Sequence, residues 1–424
     1  MVFCWRCGKD LEEGNRFCVF CGAEHGHSAA GGAAGGGAHQ APPGTPPGRA
    51  GRMSTATRVI IGVVVVLVLA GAGVGIYFGV RGTSPEKPPP KTGESDDTVI
   101  TDVKSEKLAY LDGGDIYVVR LDGTGRRNIT GRGDIVDFAV SPDGSRIAFV
   151  AATGTQRVIF KMMADGGDVS QVTLPEKGLA ENPAFDPTGR YIYFTRMTPE
   201  EQANIEAALP YGVGFERYSI AANSVDHLYT YGGLQEQSIQ ALYADPAGGD
   251  LYFNLYGSDW PSSIPHSLSL GPPVSESVFM PMKTETGKYT VVAYQLTGFS
   301  KNGSHVSYFK SALFDTNGEE SGPTQEVSAC FKRKDGAGEK VVATYEPAAS
   351  QQGQVSGMEF SSVSNSTYYF AKVRSTGADA TSLTLVFYRG SPNKSPTPMG
   401  LEVATTVEPE QYTPLVWHML AGAK

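Results

Sequence analysis

Phe138-Ala139-Val140-Ser141-Pro142-Asp143-Gly144-Ser145-Arg146-Ile147-Ala148-Phe149 decides the fold of most of this 424-residue chain. An apolar run ends in Ser-Pro-Asp-Gly, and a second apolar run begins just beyond it. Proline presets φ at the second turn position, while Asp and Gly accept the tighter angles that follow, so the stretch predicts strand, turn, strand. The pattern returns 45 residues later as Pro183-Ala184-Phe185-Asp186-Pro187-Thr188-Gly189-Arg190-Tyr191-Ile192-Tyr193-Phe194. Weaker copies run from Ala244 to Phe253, from Phe299 to Phe309 and from Phe360 to Phe370. A strand-only repeat with a period of about 45 to 60 residues is the mark of a propeller built from four-stranded blades.

These turns resemble those of the six-bladed TolB-like propeller, whose Ser-Pro-Asp-Gly repeats also occur in prolyl-peptidase propellers. The resemblance covers 106–424 through scattered turns, and Ser141-Pro142-Asp143-Gly144 carries the full tetrapeptide. It implies a mainly β, six-bladed ring. The ends of the segment fit that expectation. Lys107-Leu108-Ala109-Tyr110-Leu111 and Asp115-Ile116-Tyr117-Val118-Val119 align with the second and third strands of a blade whose first strand is missing, and Tyr412 to Leu420 fits the vacancy. Closure of a ring by its last strand removes exposed sheet edges. Five internal turns and one composite blade make six.

The repeated Tyr and Phe residues alternate with strand period, which predicts packing between blades in preference to a ligand-stacking platform. Cys330 reads as an inert or partly buried thiol, and the adjacent Lys332, Arg333 and Lys334 as a solvated loop. The mouth of the channel is the default ligand site, because loops from all blades converge there. Asp134, Glu181, Asn182 and Gln237, which enter the first strands, are the candidate ligand-binding residues by that analogy. From Glu106 onward there are 35 acidic and 25 basic residues. Such an acidic surface disfavours nucleic acid and anionic lipid as partners. No G-x-S-x-G, H-E-x-x-H or P-loop signature occurs, so no catalytic residues are assigned and the chain reads as a non-enzyme.

Outward from the propeller, residues 82–105 form a linker with Pro88-Pro89-Pro90 and a run of acids. Before it, Val59 to Val80 is an uncharged stretch of 22 residues fenced by Arg58 and Arg81. As a helix it would extend about 33 Å, enough to cross a hydrocarbon core of about 30 Å, so 58–81 is expected to be a single transmembrane helix. Arg49, Arg52 and Arg58 precede it without an intervening acid, whereas the far flank mixes bases with Glu86, Glu94, Asp96 and Asp97. That bias places the N-terminus in the cytoplasm and the propeller outside. A cleaved signal peptide ending near Ala70-Gly71-Ala72 is the alternative, but its leader would exceed fifty residues. Gly71, Gly75 and Gly79 recur on one helix face, a pattern that favours close helix pairing and hence a homodimer.

Residues 28–57, nearly all Gly, Ala, Pro, Ser and Thr, form a linker that cannot bury enough apolar surface to order itself. Ahead of it, residues 1–27 hold Cys4-Trp5-Arg6-Cys7-Gly8 and Cys18-Val19-Phe20-Cys21-Gly22. Each two-residue spacing aims both sulfurs of a tight turn at one ion, and two such turns supply the four thiolates of a closed, structural zinc site. Cys4, Cys7, Cys18 and Cys21 are therefore the expected ligands of Zn2+. This segment resembles the short prokaryotic zinc ribbons, with Phe17 before the second knuckle. A reducing cytosol suits such cysteines, in agreement with the charge bias.

Together these features predict a single-pass protein of the cytoplasmic membrane. Its propeller would bind a protein or cell-envelope ligand outside, and its zinc ribbon would engage a cytoplasmic protein partner. Two other readings remain open at this stage: an envelope scaffold without signalling, and an exported propeller enzyme acting on glycans or peptides.

Overall fold

The computed structural model describes residues 2–3, 10–11, 106–235, 237–257, 263–283, 291–314, 324–345, 354–375, 382–391, 394–406 and 416–420. The four candidate zinc cysteines, both linkers and the Val59 to Val80 stretch lie outside these residues. Among the described residues no helix is long and apolar enough to cross a membrane. Near the N-terminus Val2–Phe3 pairs antiparallel with Asp10–Leu11, two short strands that flank Cys4 and Cys7 in sequence.

From Glu106 onward the chain forms six four-stranded antiparallel sheets, the blades of a propeller. Blade 1 is composite: Trp417–Leu420 is its first strand, followed by Lys107–Asp112, Asp115–Arg120 and Arg127–Asn128. Blade 2 comprises Ile135–Val140, Arg146–Thr153, Gln156–Met163 and Ser170–Gln171. Blade 3 comprises Leu179–Phe185, Tyr191–Met197, Tyr211–Ser219 and Ser224–Leu234. Blade 4 runs through Gln237–Ala244, Asp250–Gly257, Ile264–Ser269 and Ser275–Val278. Blade 5 runs through Val291–Phe299, His305–Phe314, Thr324–Arg333 and Lys340–Tyr345. Blade 6 consists of Val355–Phe360, Tyr368–Ser375, Ser382–Ser391 and Lys394–Thr406.

The turn copies share one physical device although their residues differ. At the corner between first and second strands a small polar side chain is buried and holds the turn's own backbone: Ser141, Asp186, Asp245, Ser300 or Ser361. Ser141 Oγ accepts from Arg146 N at 2.9 Å, Asp186 Oδ1 from Tyr191 N at 2.6 Å, and Ser300 Oγ from His305 N at 2.9 Å. Burial without such bonds would cost more than the turn could return, so Ser and Asp interchange here while apolar residues do not. Gly144 takes φ +70°, which a side chain would strain.

The apolar core lies between the blades and divides into six clusters, one at each blade interface. Ala148, Ile159, Phe185 and Phe194 join blades 2 and 3; Phe215, Leu234, Leu251 and Phe253 join blades 3 and 4. Corresponding groups join 4 to 5 and 5 to 6. The remaining two join blade 6 to blade 1 and blade 1 to blade 2. An open arc of six blades would have only five such interfaces, so the ring is closed.

Closure falls to the last strand. Trp417, His418, Met419 and Leu420 stand opposite Tyr110, Ala109, Leu108 and Lys107. Alternation sends Trp417 and Met419 into the blade 6 cluster and Leu420 into the blade 2 cluster. Trp417 meets Phe387 edge-on at 5.3 Å and lies against Gly357, where a Cβ would come within 2.6 Å of the indole nitrogen. A second fastening lies beside it. The buried Glu106 carboxylate accepts from Ser361 Oγ at 2.9 Å, Ser362 N at 2.8 Å and Tyr369 OH at 2.7 Å, tying the start of the ring to blade 6.

Two local expectations need correction. The loop cations are not simply solvated: Lys334 bonds the buried Asp245 carboxylate and covers the Tyr252 ring at 5.2 Å, and Lys332 ends the strand Thr324–Arg333 region over Tyr308 at 5.1 Å. The Lys334 ammonium is paired with Asp245 as well as lying over Tyr252, and the Lys332 ammonium lies over the Tyr308 ring. Blade 3 also carries a helix, Pro199–Glu206, inserted between its second and third strands, where a strand-only repeat was expected. Thr198 caps it by accepting from Glu201 N at 3.2 Å, and the Thr-Pro-Glu-Glu start is a readable helix signal. Cys330 is fully buried, and burial pushes its thiol up to about 12, in keeping with an inert thiol.

Deleting Tyr412 to Lys424 removes Trp417, Met419 and Leu420 from the core. Each such burial contributes roughly 1.5 to 3 kcal/mol, so the loss is about 5 kcal/mol or more. The truncated chain is expected to melt at least 10 °C lower in a calorimetric scan, by the usual scaling for large domains; an unchanged melting temperature would refute closure by this strand.

Candidate functional site

The first strand of each blade is innermost and the six together line the central channel. In blades 2 to 6 each of these strands carries a register shift of the β-bulge kind. A bulge re-aims side chains and frees backbone groups, and here the freed groups bond across blades.

The four sequence candidates take different places. Asp134, just ahead of blade 2, forms a two-pronged pair with Arg132 at 2.8 and 2.9 Å. Glu181 pairs with Arg157 of blade 2 at 2.7 Å. Asn182 sits at the blade 3 bulge with φ +54°; its amide donates to Thr195 Oγ1 at 2.9 Å and to Ile239 O at 3.2 Å, and its oxygen accepts from Ala241 N at 2.9 Å. It clips blade 3 to blade 4. Gln237 accepts the Tyr211 hydroxyl through its backbone carbonyl. No hydrogen bond or ion pair joins these four side chains to one another among the described residues.

A different group converges inside the ring. His418, on the closing strand, directs Nδ1 to Glu359 Oε1 of blade 6 and Nε2 to Phe138 O of blade 2 at 2.9 Å. The second oxygen of Glu359 accepts from Met419 N at 2.9 Å. Phe138 adds an edge-on ring contact to the imidazole at 4.9 Å. Because a carbonyl only accepts, Nε2 carries a proton, and the carboxylate on the other side favours a proton on Nδ1 as well. His418 thus acts as an imidazolium bridge across blades 6, 1 and 2. Asp137, which accepts from Phe138 N at 2.8 Å, contributes a second carboxylate. Tyr243 of blade 4 donates to Leu296 O at 3.0 Å; burial raises its pKa first, and the fields of Glu359 and Asp137 raise it further.

The electrostatics follow from this enclosure. The side chains of His418 and Glu359 retain 28% and 21% of their exposure, so channel water reaches them, yet protein surrounds them on most sides. Burial pushes Asp137 up to about 6, with the His418 charge opposing the shift. Burial works against the charge on His418, but the field and hydrogen bond of Glu359 outweigh it and raise the imidazole above its usual value. With two carboxylates and one imidazolium, the channel carries a surplus of negative charge. Its polar groups are engaged in fastening the ring, so it resembles a clasp more than a reacting constellation.

None of these residues was singled out from sequence. The signal was present as one charged residue inside each otherwise apolar first strand: Asp137 in IVDFAV, Glu359 in VSGMEF and His418 in WHML. Propeller first strands face a narrow channel on one side, so a charged residue there must find a partner across the ring.

Comparison with known proteins finds a zinc-ribbon domain over residues 3–24. No curated protein matches the chain. Among solved structures, TolB from Acinetobacter baumannii is similar at 14% identity and a TM-score of 0.47, covering 71% of this chain and 66% of that one, just under two thirds. An oligogalacturonate lyase in complex with manganese is similar at 9% identity and a TM-score of 0.43, covering 69% of this chain and 83% of that one. A prolyl endopeptidase is similar at 11% identity and a TM-score of 0.44, covering 75% and 53% respectively. These neighbours include a TolB, a lyase and an endopeptidase, and the six-bladed ring is read from this chain's own sheets.

The clasp predicts a pH dependence. Asp137 ionises near 4 in the unfolded chain and at about 6 in the fold, so its ionisation weakens the fold progressively across that interval. His418, raised in the fold, contributes stability in full below the ordinary histidine value and loses it as pH rises through the folded value. Both contributions fall from pH 5 toward pH 8. Asp137→Asn, which keeps the acceptor for Phe138 N, is expected to melt roughly 2 to 5 °C higher than the parent at pH 7.5 and to match it near pH 4. Equal melting at pH 7.5 would show that Asp137 is not held at a cost.

Proposed function

We propose that this chain is a single-pass membrane protein whose exported propeller binds a protein or cell-envelope ligand while its cytoplasmic zinc ribbon engages an internal partner. The observation that supports an interaction role over a chemical one is the commitment of the channel's polar groups: His418 and Glu359 hold three blades together, Asn182 joins blade 3 to blade 4, and Asn254 joins blade 4 to blade 5 through Leu296 N and O at 2.9 and 2.8 Å. A ring fastened this way is a rigid platform. Its channel, where the Asp137 and Glu359 carboxylates face the imidazolium of His418, favours a basic side chain or amine over an anion.

The zinc-ribbon match supports a metal role for Cys4, Cys7, Cys18 and Cys21, a donor set of four thiolates that suits one tetrahedral zinc. Zinc there would supply folding energy to a segment too short for a core of its own. The uncharged Val59 to Val80 stretch supports the membrane anchor, and its small-residue face, Gly71, Gly75 and Gly79, supports pairing of two copies. Across the Gly- and Ala-rich segment 28–57, whose composition is that of a coil, coupling of the two faces would act by co-localisation, since a coil transmits torque poorly.

Membrane topology is the test. Cysteines added one at a time, Val169→Cys in the propeller and Ala56→Cys in the N-terminal linker, in a Cys330→Ser background that keeps Cys4, Cys7, Cys18 and Cys21, are treated in intact cells with a membrane-impermeant maleimide, and labelling is read as the increase over that background. Labelling at position 169 alone, with position 56 reactive only after lysis, is the expected result; labelling of both or of neither before lysis would contradict the assignment.

A further inference from the structure

A cavity of about 510 Å³ lies between blades 2 and 3, lined by the fourth strand of blade 2 and by the second, third and fourth strands of blade 3. Gln171, Val172 and Thr173 form one wall and Arg196, Glu216, Tyr218 and Val225 the other. At its edge Leu174 and Val225 expose apolar surface, and Lys177 stands among the lining residues.

Arg196 is the unusual member. Only 10% of its side chain is exposed, and Nη1 is sealed without a hydrogen-bond partner. Its nearest carboxylate, Glu216, approaches Nε no closer than 4.0 Å and is engaged at 3.1 Å by His227. The Phe194 ring lies beneath the guanidinium at 5.3 Å. A guanidinium whose Nη1 is sealed without an acceptor is costly to keep, because the desolvation of that nitrogen is not offset by a hydrogen bond and Glu216 at 4.0 Å compensates only in part. Burial lowers its pKa, with Glu216 opposing that shift. The neighbouring polar groups do not relieve it: Tyr218 OH donates to Asn223 Oδ1 at 2.7 Å, and Thr173 Oγ1 accepts from Ile159 N at 2.9 Å.

We propose that this interblade cavity binds a carboxylate carried on an apolar body, with Arg196 taking the carboxylate, Lys177 adding positive charge, and Val172, Leu174, Tyr218 and Val225 covering the apolar part. A planar carboxylate matches the guanidinium fork and balances its charge, whereas a small neutral ligand can accept a hydrogen bond but leaves the charge uncompensated. The volume suits a short peptide end or a small aryl or alkyl acid. The site is independent of the membrane topology proposed above, since binding to the purified chain decides it whichever side the propeller faces.

The test is calorimetric titration of the full-length protein in detergent with three probes: N-acetyl-leucyl-phenylalanine, the same dipeptide as its C-terminal amide, and 4-phenylbutyrate. The free dipeptide acid is expected to bind at least 10-fold more tightly than the amide, the usual size of a charged hydrogen-bond contribution. Phenylbutyrate binding as tightly as the dipeptide would identify a small-acid site, and dipeptide binding alone would identify a chain terminus; either supports the inference. Arg196→Gln is expected to weaken the acid by roughly 10- to 100-fold and to remove the preference over the amide. Should that variant fail to fold, Val225→Trp, at a partly exposed edge position, is expected to fill the cavity and abolish binding at unchanged melting temperature. No binding by either acid, equal affinity for acid and amide, or undiminished binding to Val225→Trp would overturn the proposal.

Discussion

The propeller depends on a four-residue strand. Each blade is too small to bury its own faces, and its apolar side chains find cover only against the next blade around the ring. Such an arrangement is satisfied everywhere or it leaves two raw faces at one seam. Trp417–Leu420 closes that seam by adding the missing first strand to blade 1, and its alternating side chains feed the cores on both sides. His418 reinforces the same strand by bridging Glu359 and the Phe138 carbonyl. Strand pairing, apolar packing and one charged bridge therefore act at a single place, with Glu106 adding a buried carboxylate tie from the other end of the domain.

This fastening has an electrostatic consequence. The side chains that hold the first strands to one another are polar or charged because the bulged strands leave backbone N–H and C=O groups facing neighbours. Asn182 and Asn254 satisfy such groups without charge. At the closing seam the same job is given to an ion pair, and Asp137 beside it is held in the fold against its tendency to ionise. The cost is borne where a ring closed by a chain terminus most needs a specific register, since only one alignment of His418 meets both Glu359 and Phe138.

Much of the fold was legible because it is written in turns. Pro142-Asp143-Gly144 and its relatives mark the corner between first and second strands, and the surplus pair of strands at the start of the domain predicts a partner strand at its end. The helix Pro199–Glu206 was hidden inside a repeat that periodicity treats as strands only, although Thr198-Pro199-Glu200-Glu201 signals it locally. The site was less legible. Asp134, Glu181, Asn182 and Gln237 were chosen by position at the strand entrances, and position alone does not say that Asn182 spends its amide on blade 4. The channel group escaped notice because His418 and Glu359 lie 59 residues apart and His418 and Phe138 280 apart, and only the closed ring makes them neighbours. Arg196 was equally invisible, since a missing partner has no sequence pattern.

Hydrogen exchange followed by mass spectrometry at the C-terminus tests this account most directly. If Trp417–Leu420 closes the ring, its backbone amides are expected to exchange only with global opening, as slowly as those of the central strand Arg146–Thr153. Exchange of the 417–420 amides within seconds, while Arg146–Thr153 stays protected, would mean that the terminal strand is frayed and that the propeller stands without it.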